Sequence, residues 1–210
     1  MNINVPAMIG AVVREVAQRE QDGKPARAVI ATRIYDTTVD DLWEAITDPA
    51  RIPRWFLPVT GDLQLGGRYQ LQGNAGGTVT ACEPPRRLSL TWDFGGQITW
   101  VNVTLTEAGD GAQLKLEHIA HVEEDHWKQF GPGAVGVGWE LSLMGLALHL
   151  ESGAAVDPEA FAAWSASSDS KVMMTASGTA WGEAHAASGE DVETARASAA
   201  RTVAFYTGAG

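Results

Sequence analysis

Only one cysteine, Cys82, occurs in the 210 residues, so no intrachain disulfide can form. Cys82 stands between Ala81 and Glu83, just before Pro84-Pro85, and reads as a small strand residue. A nucleophilic role would need a neighbouring base that the sequence does not supply. Positive charge is also scarce. Lys plus Arg number 15 against 26 Asp plus Glu, a formal charge of -11. A polyanion or an anionic membrane surface is repelled by such a field, and no Lys/Arg cluster stands out against it. Nucleic acid is therefore not expected as a partner. No apolar run approaches the roughly 18–20 residues that span a bilayer, so membrane insertion is not expected either. The opening MNINVPAMIGAVVREVAQRE has no basic region, and Arg14 and Glu15 interrupt its apolar stretch. It does not read as a secretory signal, and the expected location is cytoplasmic. Gly61, Gly66 and Gly67 are followed by no Gly-Lys-Ser/Thr. There is no serine-hydrolase elbow, no HExxH and no CxxC pair, so no cofactor is expected.

What is present is a chain with 45% hydrophobic and 20% charged residues, the balance of a globular protein with a real core. Ile9, Val12, Val13 and Val16 follow a helical face, so residues 6–20 are expected to be helical and QDGKPA (21–26) a linker. RAVIATRIYD (27–36) reads as a strand. Thr38 or Asp40 can cap a helix over 39–47 that ends at Asp48-Pro49, and a short helix follows over 50–56. From 61 to 122 turn residues separate strand patterns. Leu63 and Leu65 precede a Gly66-Gly67 turn, with Tyr69 and Leu71 after it. Leu88, Leu90, Trp92 and Phe94 share one face; so do Val101, Val103 and Leu105, and then Leu114, Leu116 and His118. Short turns imply antiparallel pairing, and an apolar face must be covered. WELSLMGLALHLES (139–152), after the Gly-rich FGPGAVGVG, is the expected covering helix.

Residues 153–210 differ in character. Alanine supplies 17 of the last 60 residues, and strand patterns vanish. Ser168 or Asp169 can cap one helix and SGED (188–191) can open another that ends at Gly208. The expected organisation is a helix and linker over 1–26, a sheet-and-helix domain over 27–152, and a helical extension over 153–210. The terminal helices could support a homodimer.

Several strings within 27–152 resemble the AHSA1-type branch of the SRPBCC (START/Bet v 1-like) superfamily. They are Leu-Trp-x-x-Ile-Thr-Asp-Pro with Trp55-Phe56, GDLQLGGRYQL, LTWDF, VNVTLTE-GDG-AQLKLEH, and Gly138-Trp139 through Leu146. The Ala-rich tail ending FYTG is similar to bacterial, actinobacterial sequences. The resemblance implies an α+β helix-grip fold: a curved antiparallel sheet around a long C-terminal helix, with a cavity between them. To it are added a short N-terminal helix and the helical extension. In this superfamily the cavity takes up lipids, sterols, polyketides or other hydrophobic molecules. Some members are enzymes, aromatase/cyclases among them, and eukaryotic relatives of this branch stimulate the Hsp90 ATPase.

The expected ligand is therefore a small hydrophobic or amphipathic molecule. The residues expected to bind it are Trp55, Phe56, Tyr69, Trp92, Val101, Val103, His118, Trp139, Leu143 and Leu146. The same rows could equally form an ordinary filled core, which the sequence does not distinguish from a lined cavity. Trp indoles suit an amphipathic ligand through broad apolar contact plus one donor. The catalytic candidates, for a cofactor-free cyclase or hydrolase, are His118 and Glu140. His118 lies on the apolar face and would ordinarily titrate near neutrality. Glu140, placed in the first turn of the last helix, could serve the helix dipole or the pocket. EHIAHVEEDHW sets His118, His121 and His126 among four acids, but strand parity sends His118 and His121 to opposite faces and His126 reads as loop. No metal site is expected. A protein-interaction module is the remaining alternative, and it would need Met173, Met174 and Trp181 exposed.

Overall fold

The computed structural model describes residues 3–121 and 125–209. Val122, Glu123 and Glu124 of the EHIAHVEEDHW string lie outside the described residues. Eight strands form one antiparallel sheet in the order β1-β2-β8-β7-β6-β5-β4-β3. In chain order these are β1 (Val12–Gln21), β2 (Lys24–Tyr35), β3 (Val59–Gly61), β4 (Arg68–Leu71), β5 (Gly76–Glu83), β6 (Arg87–Phe94), β7 (Gln97–Ala108) and β8 (Gly111–His121). The helices are α1 (Val5–Gly10), α2 (Val39–Thr47), α3 (Asp125–Phe130), α4 (Gly133–Ser152), α5 (Pro158–Ser165), α6 (Ser168–Ala187) and α7 (Val192–Thr207). Between β2 and α4 the order runs helix, 3-10 turn (Ile52–Arg54), six strands and α3. Apart from α3, this is the expected order. The chain divides into two compact units: Met1–Ala31, His121–Leu141 and Asp157–Gly210 make the first, Thr32–Ala120 and Ser142–Val156 the second.

In the first unit the N-terminal helix is present but short. α1 stops at Gly10, and the rest of the segment expected to be helical is β1. Val12, Arg14 and Val16 alternate on its inward face while Val13 is exposed. The supposed linker holds a tight hairpin turn in which Asp22 and Gly23 adopt φ of 52° and 72°. Two consecutive left-handed residues match the twist of paired strands, and Asp-Gly is a strong hairpin signal. A period of two competed here with a helical reading of the same valines, and the turn decided it.

The covering helix is longer than expected. α4 begins at Gly133, so most of the Gly-rich stretch is helical. Glycine weakens a helix, by about 1 kcal/mol per residue relative to alanine. Packing explains why it is kept at Gly136. A Cβ there would overlap the indole of Trp181 on α6, which is fully buried. By length and composition α4 is also apolar enough to cross a membrane, contrary to the expectation from run length. It is largely buried, however, and carries a buried glutamate and a buried histidine, as core helices do.

The tail helices form with the expected chemistry. Ser167 rather than Ser168 or Asp169 caps α6, Asp191 caps α7, and Gly208 closes α7 with a φ of 67°. α5 was not foreseen from the alanine-rich sequence, although Asp157-Pro158 is a cap followed by a first-turn proline. Met173 and Trp181 are buried and Met174 is half-buried, so these three do not make the exposed patch that an interaction module would need.

In the second unit Thr38 caps α2, accepting from the Asp41 amide. The register β5–β6–β7–β8 aligns Val79, Leu90, Val101 and His118 in one row, and Leu88, Val103 and Leu116 in the next. Two strand expectations fail locally. Leu63 and Leu65 lie in a loop between β3 and β4, with Leu65 exposed. Phe94 follows the parity of Leu90 and Trp92 but is 58% exposed beside the Gly95-Gly96 turn, so it is no part of the covered face.

Candidate functional site

The candidate site lies on the buried face of the second unit. On β7 and β8 that face is closed: Val101, Val103, Leu105, Leu114, Leu116 and His118 are all buried. On β6 it is not: Leu88, Leu90 and Trp92 each remain half-buried in mid-strand. The second unit's part of α4 brings Leu143, Met144, Leu146 and Ala147, all buried.

Several contacts fix the frame. The Tyr35 hydroxyl of β2 donates to the Leu143 carbonyl at 3.2 Å, and burial pushes its pKa up. Gly145 lets the Trp55 carbonyl approach α4 closely; an added Cβ would lie 2.6 Å from that oxygen. The Trp55 indole N–H donates to the Ala45 carbonyl at the end of α2, at 2.9 Å, and its ring stacks on Phe56 at 5.4 Å. Trp55 and Phe56 are thus held between α2 and α4, both half-buried. Tyr69 is buried, and its hydroxyl donates to the Thr91 carbonyl at 2.8 Å, which occupies its proton.

His118 is the polar centre of this face. The Thr99 hydroxyl donates to the Trp92 carbonyl at 3.1 Å. A hydroxyl has one proton. The 2.8 Å contact between His118 Nε2 and Thr99 Oγ1 is therefore an Nε2–H donating to the hydroxyl oxygen. The Trp92 ring meets the imidazole edge-on at 6.1 Å. Burial lowers the His118 pKa from 6.5 to about 4, so the imidazole is neutral at physiological pH. The Nε2 partner is thus a side-chain hydroxyl.

This depressed pKa has a consequence for stability. The unfolded chain takes up the proton near pH 6.5 and the folded chain only near pH 4. The contribution is complete above about pH 6.5 and fades as pH falls toward 4, amounting to roughly 3 kcal/mol over that window. Urea denaturation across this range should show the loss, and His118→Gln should flatten it. An equal slope in the variant would assign the loss to other groups.

The remaining sequence candidates divide between the units. Trp139 and Glu140 belong to the first unit, Leu143 and Leu146 to the second. Glu140 is not in the first turn, because α4 starts at Gly133. It is fully buried and held by Arg14 in a two-pronged ion pair, Nε to Oε1 at 2.6 Å and Nη2 to Oε2 at 2.7 Å. Arg14 also donates to the carbonyls of Val12 and Ile9. Both oxygens are thus committed to a fixed cation, which answers the choice between helix dipole and pocket with neither. His126 lies on α3 rather than in a loop. Sequence reading missed Thr99, whose role needs the register with Trp92, and Tyr35, which sits at the end of a segment read only as a strand.

The family known as activator of Hsp90 ATPase homolog 1-like protein, AHSA1, matches residues 36–151, more than half of the chain. The chain belongs to the AHSA1 family. It is similar to CalU16 from Micromonospora echinospora, with 36% identity to the crystal structure over 84% of this chain and 99% of that one, at a TM-score of 0.67. The solution structure of CalU16 gives 40% identity over 70% and 79% of the two chains, at 0.62. DynU16, a protein in the dynemicin biosynthetic locus, is 25% identical over 61% of this chain and 48% of its own, at 0.54. No curated protein matches the chain. The α+β helix-grip fold expected from the sequence is the fold of this AHSA1 member.

Proposed function

We propose that this AHSA1-family chain binds a small hydrophobic or amphipathic molecule between the β6–β8 face and residues 142–152 of α4. The observation that carries the reading is the half-buried state of Leu88, Leu90 and Trp92 beside a buried His118–Thr99 pair. Apolar side chains left partly accessible in the middle of a strand offer surface that a ligand can cover, at roughly 25 cal/mol per Å². A hydrogen-bonded polar pair among them supplies orientation, as in apolar pockets with few polar groups. The likeness to DynU16, a protein in a biosynthetic locus, supports a small molecule of biosynthesis as the ligand. Binding is favoured over catalysis. Near neutral pH a His118 with a pKa of about 4 is a weak base and has no second proton to give, and Glu140 is bound to Arg14.

Native mass spectrometry of the chain made in its own host tests this. A small organic adduct is expected on the wild type. Leu90→Trp, which places an indole over the half-buried surface, should lose it while keeping a cooperative melt. An adduct equally present on Leu90→Trp would place the ligand elsewhere.

A further inference from the structure

The first unit has a cavity of its own, about 150 Å³ in volume. It is lined by residues 16–18 of β1, Arg27 of β2 and residues 188–190 of the turn between α6 and α7. Drug-sized ligands occupy about 300–1,000 Å³, so an occupant here has only a few heavy atoms. The lining carries one cation, Arg27, and one anion, Glu190.

Arg27 is positioned but little used. Its guanidinium carbon sits over the Trp127 ring, 5.2 Å from the centroid. Among the described residues its hydrogen bond is Nη1 to Glu190 Oε2 at a long 3.3 Å, an ion pair between partly exposed side chains. A guanidinium has five N–H donors in a rigid fork, which suits two-pronged recognition of a carboxylate. Glu190 Oε2 also lies 3.4 Å from His185 Nε2, and Oε1 accepts a 3.3 Å bond from the Asp191 amide. The His185 ring is buried, faces Glu190 through Nε2 and meets Trp127 edge-on at 5.4 Å. Among the described residues, Arg27 therefore keeps N–H donors beyond the one that Glu190 accepts.

A lone anion would gain Arg27 but face Glu190, and a lone cation would meet the reverse. Only a molecule carrying both charges is attracted by both. We propose that this cavity binds a small zwitterion of the α-amino-acid class, with its carboxylate on the Arg27 guanidinium and its ammonium on Glu190. Arg27 Nη1 and Glu190 Oε2 stand 3.3 Å apart as an ion pair, so the zwitterion lies alongside that pair with its two charges opposed to theirs, and glycine or alanine is small enough for the cavity.

Isothermal titration calorimetry of the full chain with glycine, acetate and methylammonium tests the assignment. Glycine is expected to bind saturably, and acetate and methylammonium at least about tenfold more weakly, since each forfeits one charge-assisted contact. Arg27→Gln and Glu190→Gln, checked for an intact thermal melt, should each weaken glycine by at least about tenfold. Absence of saturable glycine binding to the wild type would overturn the proposal. So would acetate binding as tightly as glycine, or unchanged glycine affinity in a folded Arg27→Gln protein.

Discussion

Trp181→Ala is expected to destabilise the chain by about 3–5 kcal/mol, measured by urea denaturation. The indole is fully buried on α6, and Gly136 of α4 lies directly against it. Removing it leaves a void that a helix backbone cannot collapse to fill. The converse substitution, Gly136→Ala, forces a methyl group into the ring and should cost about 1–3 kcal/mol, since overpacking strains a filled core. The pair distinguishes a true seam from two unrelated core positions. In the Trp181→Ala background the Gly136 methyl has room, and alanine favours the helix by about 1 kcal/mol. Gly136→Ala should therefore turn from destabilising to neutral or stabilising in that background. Simple additivity would show that the two residues do not meet.

Glu140→Ala is the second large effect. The Arg14 side chain is only 10% exposed, and its carboxylate partner is completely buried. Breaking such a pair strands a buried charge and costs about 3–5 kcal/mol. Replacing both members with apolar residues removes the stranded charge. Arg14→Met with Glu140→Leu should recover most of the loss, because a buried pair often contributes little over a hydrophobic substitute. An equally unstable double variant would mean that the pair does more than satisfy itself. Glu140 is accordingly a residue of the first unit's core. A first-turn place facing the helix dipole is expected for it only if the helix starts at Trp139, six residues later than it does.

That error shows where the sequence was legible. Elements with strict alternation, β6 to β8, and elements with caps, α2, α6 and α7, are legible as elements, although Phe94 leaves the covered face and Ser167 rather than Ser168 or Asp169 caps α6. Residues 133–138 are not, because three glycines in a row of six argue against a helix unless a bulky partner fills the space they leave. That partner, Trp181, lies more than forty residues away in the chain. β1 failed for a different reason. Val12 and Val16 satisfy both a period of two and a helical spacing, and Arg14 on the inward face looked like a surface residue until Glu140 came to meet it. The candidate site was legible in its apolar rows, Leu88–Leu90–Trp92 and Val101–Val103. Its polar pair was half legible: alternation gave His118, but Thr99 becomes its partner only through the β7–β8 register and the hydroxyl bond back to Trp92. No pattern along the chain marks a threonine for that task.

The remaining question is whether the open part of the β6 face takes up a guest. Nuclear magnetic resonance with labelled methyl groups can answer it using naphthol, a bicyclic ring with one hydroxyl, titrated into the full chain. Saturable shifts confined to the methyls of Leu88, Leu90, Val101 and Val103, with contacts from the probe to Trp92 and His118, are the predicted result. Methyls that stay fixed throughout the titration, or that move no more than those of the exposed Val13 and Ile34, would contradict it.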